Sequence, residues 1–449
     1  MHRSSRIRSR SFTGTTTRRA FLKTAGAAAG AGVLGGLSIA RSAHGAGASE
    51  VLRVGLIGCG GRGTGAARDA MAVDKQVKVV ALADAFEDRV QNCRKALQKH
   101  NPQQTDIPDD HLFVGFDAYK RLLDCGVDVV LLCEPPHFRP RHLRAAVEAG
   151  KHVFCEKPVA VDAPGYRSVV ESCKLAEQKG LSIVSGLCWR YHPAVIETMK
   201  RVQDGAIGQI VAIQETYLTA LPWARKREPG QTEMEFQMRN WYNFHWLSGD
   251  HNVEQHVHSL DKGSWAMGDQ PPVRAWGTGG RASRGREPEF GNIYDHHAVV
   301  YEYENGVRMY AYCRQQRGAW GDVSDHILGV KGTCALRGPQ CQITDRSGKV
   351  VWKYDGPGGN MYELEHDALF KSIRSGKPIN NGHYMALSTM LGILGRMVTY
   401  TGRMITWQEA INSQEDLTPK EYRFDAEPPV LPGPDGLYPL AIPGITPFQ

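Results

Sequence analysis

Acidic residues are absent from the first 49 positions of this 449-residue chain, although the whole chain holds 47 of them. The same segment carries eight Lys and Arg residues, so it contributes +8 to a net charge of +7 and leaves −1 for the remainder. Because the basic excess is confined to one end, the body of the protein lacks the basic surface that a nucleic-acid-binding protein needs. We therefore expect no nucleic-acid partner.

Metal-binding and disulfide motifs are also missing. The ten cysteines form no Cys-x-x-Cys pair and show no zinc spacing, and no His-Glu-x-x-His motif occurs. Cys59, Cys133, Cys155 and Cys188 lie in or beside apolar runs, where cysteine acts as a small buried hydrophobe. With 41% hydrophobic and 22% charged residues, the composition excludes a disordered chain, a collagen and a membrane protein with many spans.

The basic segment has the order of an export signal. Arg18 and Arg19 precede a weakly apolar Ala/Gly-rich run, and a small-residue site follows at 46–48. This order predicts a removable signal over residues 1–48 that resembles a twin-arginine signal. We expect a periplasmic or otherwise extracytoplasmic protein with no stable membrane insertion once the signal is removed. A basic tail that binds nucleic acid is the alternative.

A glycine-rich turn follows the first apolar run after this segment. Residues 51–57 predict a buried strand, residues 58–63 read G-C-G-G-R-G, and an Ala-rich helix follows over 64–72. A second strand, 77–84, ends in an acid. This order of strand, turn, helix, strand and acid is typical of dinucleotide binding.

Each part of this motif has a physical role. Gly58 permits the tight turn, Gly60 lets a pyrophosphate approach the backbone, and Gly63 lets helix and strand pack closely. The helix N-terminus offers free N–H groups to phosphates. Asp84 would accept hydrogen bonds from ribose hydroxyls and repel a 2′-phosphate, so NAD is favoured over NADP. The predicted cofactor residues here are Gly58, Gly60, Gly61, Arg62, Gly63 and Asp84.

The alternation of strands and helices continues. Further strands are predicted at 127–133, 151–155 and 181–187. Repeated βα units indicate a doubly wound parallel sheet, whose ligands lie at the carboxyl ends of the strands. Side chains that follow two of these strands are therefore expected at the cofactor cleft: Pro135, His137, Glu156 and Lys157.

These motifs resemble those of the Gfo/Idh/MocA oxidoreductases, which include glucose–fructose oxidoreductase and inositol dehydrogenase. GLIGCGGRG at 55–63, Asp84 and above all AGKHVFCEKP at 149–158 carry the resemblance. It implies an α/β protein with an N-terminal Rossmann domain and a C-terminal α/β domain whose open sheet is mainly antiparallel. We predict a Rossmann domain over residues 51–190, a substrate and oligomerisation domain over 191–425, and an extended tail over 426–449.

The second half supplies its own evidence for antiparallel pairing. Two strand candidates, 298–303 and 307–312, are joined by Asn305-Gly306, a dipeptide that favours a type I′ hairpin. Seven prolines between Pro428 and Pro447 predict an extended tail. Because that tail also carries apolar residues, we expect it to lie on its own or a neighbouring subunit of a homo-oligomer, a dimer or tetramer.

The densest chemical segment is 248–261. Read as one helix, it places Glu254 and His258 on a shared face, where a carboxylate would stabilise a protonated imidazole and suit it to act as a general base. The resembled family carries Asp-x-x-x-His followed by Asp, which maps onto Glu254, His258 and Asp261. The predicted catalytic residues are Lys157, His258 and Glu254, with Lys157 orienting the reacting hydroxyl.

Two other interpretations of this segment stay open. His258 could be a structural histidine satisfied by Glu254. Five residues could instead bind a metal, although His256 and His258 point to different helix faces, and we expect none: Asp250, His251, Glu254, His256 and His258.

The stretch 239–246 is rich in aromatic residues. Sugar rings stack on aromatic faces, so this stretch is a candidate substrate wall, and core packing is the equal alternative. The candidate substrate residues are Trp241, Tyr242, His256, Asp261 and Tyr294.

The sequence therefore predicts an NAD-dependent oxidoreductase acting on a CH–OH group of a sugar, cyclitol or glycoside, with a tightly bound cofactor. One alternative is redox-assisted cleavage of a glycosidic bond, although the Thr-His-Gly motif of such family members is absent. The other alternative is a non-catalytic binding protein on the same fold.

Overall fold

The computed structural model describes residues 50–449, so the predicted export signal lies outside the described residues. The first half forms a six-stranded parallel sheet in the order β3-β2-β1-β4-β5-β6. Its strands are nearly continuous apolar runs, because helices cover both faces of the sheet. The strands are β1 (Leu52–Ile57), β2 (Val77–Asp84), β3 (Leu112–Val114), β4 (Val129–Leu132), β5 (His152–Cys155) and β6 (Ile183–Ser185).

Helices connect these strands as the predicted βα units require. The helices of this half are α1 (Gly61–Val73), α2 (Glu87–His100), α3 (Ala118–Asp124), α4 (Arg139–Glu148) and α5 (Ala163–Gln178). Short 3-10 turns lie at Asp109–His111, Pro136–Phe138, Cys188–Tyr191, Trp241–Asn243 and Pro288–Phe290. The predicted doubly wound Rossmann sheet is confirmed.

The second half forms a nine-stranded sheet in the order β14-β13-β12-β11-β7-β10-β9-β8-β15. Only the β7–β10 pair is parallel, which confirms the mainly antiparallel second sheet. Its strands are β7 (Ile210–Thr219), β8 (Arg274–Gly280), β9 (His296–Glu302), β10 (Arg308–Gln315), β11 (Asp322–Gly329), β12 (Gly332–Arg337), β13 (Gln340–Asp345), β14 (Val350–Lys353) and β15 (Ile405–Thr406). Its helices are α6 (Pro193–Gln203), α7 (Glu233–Arg239), α8 (His245–Ser248), α9 (His251–Glu254), α10 (Val257–Ala266), α11 (Met361–Arg374), α12 (Gly382–Thr401) and α13 (Trp407–Asn412).

The hairpin between β9 and β10 exists, but its turn is not the predicted type I′. That turn needs a positive φ at two residues, and here Gly306 has φ 80° while Asn305 does not share it. Tyr303 donates its N–H to the carbonyl of Val307 and accepts from the N–H of Gly306, each at 2.9 Å. This is the three-residue loop of a type I turn followed by a bulge at glycine.

Two late helices join the halves. α11 packs on α1, and its Leu369 and Phe370 belong to the Rossmann core, although the chain has by then passed through the second sheet. α12 is buried along most of its length because it contacts both cores, Met385 on the Rossmann side and Leu391 on the other. The cleft between the sheets is therefore held by shared helices.

The proline-rich tail lies on its own chain. Residues 426–449 contain no helix or strand. Tyr438 packs edge-on against Phe244 with 4.8 Å between ring centres, and the Val430 carbonyl accepts a hydrogen bond of 2.7 Å from Gln237. No helix among residues 50–449 is both long and apolar enough to cross a membrane.

Candidate active site

A cavity of about 610 Å³ opens where the carboxyl ends of the Rossmann strands face the second sheet. One wall is the glycine-rich turn between β1 and α1, and another is the end of β5 at Glu156 and Lys157. The opposite wall is the short break between α9 and α10, with Glu254 and His258. The cavity is therefore shared by the two halves of the chain.

The glycine-rich turn has the shape of a phosphate cradle. Gly58 has φ +92°, and a Cβ there would lie 2.3 Å from the backbone nitrogen of Glu134. A Cβ at Gly63 would lie 1.9 Å from the Gly58 carbonyl oxygen, so this glycine permits the close packing of turn and helix. A Cβ at Gly60 or Gly61 would meet nothing within 4 Å, and both residues line the cavity.

The N-terminus of α1 is left open to a ligand. Its N-cap residue is Gly60, which has no side chain to accept from the first N–H groups of the helix. An open cradle that ends in uncapped N–H groups fits a pyrophosphate. Gly60, Gly61 and Arg62 would hold the phosphates of a bound NAD, whose nicotinamide ring accepts a hydride.

Asp84 ends β2 at the same cavity. Its carboxylate accepts from the N–H of Cys59 at 2.7 Å and from that of Phe86 at 3.0 Å, which fixes its position beside the cradle. Burial raises the pKa of Asp84, although these two hydrogen bonds act against the rise. Asp84 also lines the cavity, and its contact with a ribose stays a prediction.

Arg62 and Glu156 form an ion pair that lines the cavity beside the glycine-rich turn. The Arg62 guanidinium lies 3.1 Å from Glu156, 2.7 Å from Asp69 and 4.8 Å above the ring of Tyr362. Burial opposes the charge of Arg62, but the two acids raise its pKa further. Both side chains line the cavity and are held rigidly.

Lys157 and Glu254 pair across the cavity. The Lys157 ammonium donates to the Glu254 carboxylate at 2.9 Å and to its backbone carbonyl at 2.6 Å. Glu254 therefore binds Lys157 and does not pair with His258 as predicted. The predicted single helix is interrupted at Gln255 and His256, between α9 and α10.

His258 lines the cavity from the start of α10. Its Nδ1 is buried and has no hydrogen-bond partner among residues 50–449. Burial, and then the charges of Lys157 and Lys262, hold the pKa of His258 well below its usual range. The ring is therefore neutral near pH 7, and it is a weaker base than the sequence predicts, because the Glu254 carboxylate pairs with Lys157.

Pro135 lines the cavity, but His137 does not. The His137 ring is buried, and its Nε2 lies 2.9 Å from the hydroxyl of Tyr422. It packs edge-on against Trp246, and burial lowers its pKa to about 3. The predicted cofactor contact of His137 is corrected to an internal contact, because the 3-10 turn after β4 directs the side chain away.

The aromatic segment divides between wall and core. Trp241 lines the cavity beside Trp223, with 6.1 Å between ring centres. Tyr242 is buried behind it, and its hydroxyl oxygen accepts from Gln315 at 2.7 Å. Both interpretations of this segment therefore apply, to neighbouring residues.

Three other substrate candidates lie away from the cavity. Asp261 is buried and pairs with Arg190 at 2.8 Å. His256 is buried and its Nδ1 lies 3.0 Å from Asn252. Tyr294 is buried and donates its hydroxyl to the carbonyl of Ala441 at 2.9 Å. These predictions are corrected: each side chain stabilises the second half from within.

The alternative metal set does not converge on one point. Glu254 pairs with Lys157, and His256 is hydrogen-bonded to Asn252. His258 lines the cavity. Asp250 and His251 stay together, 2.8 Å apart.

Asp250 is the centre of a buried hydrogen-bond network instead. Its carboxylate lies 3.0 Å from His297 and accepts from the Tyr400 hydroxyl at 2.6 Å and the Tyr294 N–H at 2.9 Å. Asp250, His251 and His297 could together reach one ion. Burial would raise the pKa of Asp250, but His297 and His251 bring it well below its usual range.

Several cavity residues are not among the predicted site residues. They come from β7, from the loop after it and from the α9–α10 break, and no local motif marks them: Tyr217, Trp223, Arg225 and Gln255. These residues are far apart in sequence, and only the tertiary structure, in which the second sheet faces the Rossmann domain, places them at the cavity.

Comparison with known proteins identifies the cofactor-binding half. Residues 52–186 match the sequence profile of the oxidoreductase family GFO_IDH_MocA with an NAD-binding Rossmann fold. This segment is similar to the NAD-binding Rossmann domain of the Gfo/Idh/MocA oxidoreductases. NAD as cofactor and the class of enzyme, an oxidoreductase acting on CH–OH groups, are thereby confirmed.

Other similarities extend over most of the chain. Myo-inositol 2-dehydrogenase of Thermotoga maritima is 21% identical over 369 residues, which are 80% of this chain and all of the relative. An aldose-aldose oxidoreductase of Caulobacter crescentus complexed with glycerol shares the fold with a TM-score of 0.62, 19% identity and coverage of 80% and 100%. Levoglucosan dehydrogenase in complex with NADH and levoglucosan gives a TM-score of 0.63 at 18% identity and coverage of 80% and 99%.

Proposed function

We propose that this protein transfers hydride between a secondary alcohol of a sugar, cyclitol or glycoside and a tightly bound NAD. The observation that carries the proposal is the placement of Lys157, Glu254 and His258 in the same cavity as the glycine-rich cradle. The named relatives act on inositol and levoglucosan, which supports a polyhydroxylated substrate.

The two basic side chains suit different tasks. Lys157 donates two of its three N–H bonds to Glu254, and no other acceptor is found for it among the described residues. The third N–H can bind the substrate hydroxyl and stabilise negative charge on its oxygen. His258 is neutral and accepts the hydroxyl proton as the carbinol hydrogen leaves as hydride.

Contacts between the halves support a tightly bound cofactor. Arg239 of α7 lies 3.0 Å from Asp88 of α2 and 4.0 Å above the ring of Phe86, beside Asp84. Phe424 packs on Phe86 from the other side at 5.3 Å. Phe86 and Arg239 line the cavity with Asp84, so we expect these contacts to slow the release of NAD.

The deciding experiment is native mass spectrometry followed by a spectroscopic screen. We expect NAD to copurify with the protein and to become reduced, seen by absorbance near 340 nm, when sugars, cyclitols or glycosides are added. Release of an aglycone without net reduction would favour redox-assisted cleavage instead. Absence of any reduction across the panel would contradict the proposal.

We also propose export by the twin-arginine route. The support is the adjacent pair Arg18 and Arg19 before the apolar run and the small-residue site at 46–48. The double variant Arg18→Lys, Arg19→Lys should leave the precursor in the cytoplasm, as fractionation and immunoblotting would show. Continued export of this variant would refute the proposed route.

A homo-oligomer is proposed on the exposed side of the second sheet. Tyr312 of β10 and Leu328 of β11 are 39% and 37% exposed on strands whose alternate residues are buried. Exposed apolar side chains on an ordered sheet are a typical subunit contact. Tyr312→Glu with Leu328→Glu should reduce the mass measured by light scattering to that of one chain, whereas an unchanged oligomer would exclude this face.

A further inference from the structure

Gln255 occupies the break between α9 and α10 and lines the cavity directly after Glu254. Its side-chain carbonyl accepts from the amide of Gln315 at 2.8 Å and from the hydroxyl of Thr219 at 3.4 Å. No described residue accepts a hydrogen bond from its amide nitrogen, and that nitrogen is not one of the buried side-chain atoms that lack a partner. The amide therefore presents two N–H donors to the cavity.

A chain of hydrogen bonds fixes this orientation. The Arg284 guanidinium can only donate, and it donates to the carbonyl oxygen of Gln315 at 2.7 Å. Gln315 must then turn its amide nitrogen to the Tyr242 hydroxyl at 2.7 Å and to the carbonyl oxygen of Gln255. The side-chain amide of Gln255 is thereby held with its carbonyl oxygen toward Gln315, and its nitrogen faces the cavity.

Burial makes the chain rigid. Arg284 is 6% exposed and Gln315 is 2% exposed, so neither can exchange its partner for water. Reversing either amide would set two donors or two acceptors against each other in the interior. Arg284 is also anchored by Asn243 at 2.7 Å.

We infer that Gln255 is a specificity-determining residue that donates a hydrogen bond to a second oxygen of the substrate, close to the hydroxyl held by Lys157. This inference rests on the proposed function and deepens it: the site selects vicinal polyols over simple secondary alcohols. A pre-oriented donor in a cavity wall binds a substrate oxygen and discriminates against a substrate that lacks this oxygen.

The test compares Gln255→Leu and Gln255→Glu with wild-type enzyme loaded with NAD. The probes are myo-inositol and levoglucosan as polyols and cyclohexanol as a simple secondary alcohol. We expect kcat/KM for the polyols to fall about tenfold to hundredfold in both variants, the loss of one such hydrogen bond, and that for cyclohexanol to stay unchanged. Gln315→Leu should give a smaller loss of the same kind, and Gln340→Leu, an exposed glutamine at the start of β13, should give none.

Binding of the same polyols, followed by saturation-transfer NMR on the NAD-loaded protein, separates the two proposals. If wild-type protein binds a polyol without oxidising it and Gln255→Leu does not bind, the proposed function fails and the role of Gln255 stands. Equal polyol binding and kcat/KM in wild type and Gln255→Leu would overturn the role of Gln255 alone. If wild-type protein neither binds nor oxidises any of the polyols, both proposals are overturned.

Discussion

The Nζ of Lys157 lies 2.9 Å from Oε1 of Glu254 although 97 residues separate the two in the chain. Lys157 lies two residues after the end of β5 in the Rossmann sheet, whereas Glu254 belongs to the helical segment that packs on the second sheet. The pair therefore sets the distance between the cofactor half and the substrate half at the reacting position. The glutamate side chain is long enough to reach the ammonium from the opposite wall of the cavity.

Replacing Glu254 by Gln should lower kcat at least about tenfold while leaving NAD bound. Glutamine keeps the length of the side chain but removes the charge that holds the Lys157 ammonium in place. Glu254→Asp should lower kcat similarly, because its carboxylate falls short of Lys157. The measurement is steady-state kinetics with bound NAD quantified by mass spectrometry. Glu177→Gln, on the exposed side of α5, is the control and should change neither quantity.

Lys157→Met should reduce kcat by about a hundredfold to ten-thousandfold, the usual contribution of a group that stabilises charge or moves a proton in the transition state. Methionine retains most of the apolar stem, so the fold and NAD content should persist. Lys95→Met removes an exposed lysine from α2 and serves as the matched variant. Full turnover by Lys157→Met would exclude the proposed role of the ammonium.

Two glycines of the cradle should respond differently to alanine. Gly60 faces open space, so Gly60→Ala should fold with an unchanged Tm and yet weaken NAD binding about tenfold, since its methyl group enters the space meant for the pyrophosphate. Gly63→Ala would place a Cβ 1.9 Å from the Gly58 carbonyl oxygen and should destabilise the whole domain. Thermal unfolding and NAD titration of both variants distinguish the two effects. Equal behaviour of the two variants would contradict a ligand at Gly60.

Asp84→Asn should shift cofactor preference toward NADP by about tenfold or more. The substitution removes the negative charge that repels a 2′-phosphate, and Arg89, which also lines the cavity, remains to attract it. The measurement is the ratio of kcat/KM for NADP and NAD after removal of bound cofactor. Asp110→Asn changes an exposed acid before β3 and should leave the ratio as it was.

Local sequence located most of the predicted cofactor residues at the cavity, but not His137. The glycine spacing from Gly58 to Gly63 determines which backbone atoms can approach, and the ends of apolar runs locate Asp84 and Lys157 at the sheet edge. Such features depend on neighbours in the chain, so they can be predicted from the sequence without a structure.

The substrate half of the site could not be predicted from local sequence in this way. Glu254 and His258 have helical spacing, but the helix is interrupted at Gln255. The Glu254 carboxylate therefore pairs with Lys157 of the Rossmann half and not with His258. The strands β11 to β14 were not predicted at all. Trp223 and Gln255 are ordinary residues in sequence, and only the meeting of the two halves places them at the cavity.

Acid should destabilise the protein through its buried neutral histidines, and His366 provides the cleanest test. It is fully buried in α11, neither ring nitrogen has a partner among the described residues, and it packs on Phe154 with 4.2 Å between ring centres. Burial lowers its pKa to about 3, against about 6.5 in the unfolded chain. Between these values the unfolded state binds a proton that the folded state does not, so stability is complete above the unfolded pKa and falls as the pH falls.

One such histidine lowers the free energy of unfolding by about 2 kcal/mol at pH 5 relative to pH 8. His366→Leu removes that proton, so its stability should drop less than that of the wild type between these two pH values, by about the same amount. Urea unfolding at both pH values, followed by circular dichroism, gives the comparison. His100→Leu replaces an exposed histidine at the end of α2 and should show the same acid sensitivity as the wild type. If His366→Leu were as acid-sensitive as His100→Leu, the His366 ring would have to gain its proton in the folded state, and the buried neutral histidine would not be a source of the pH dependence.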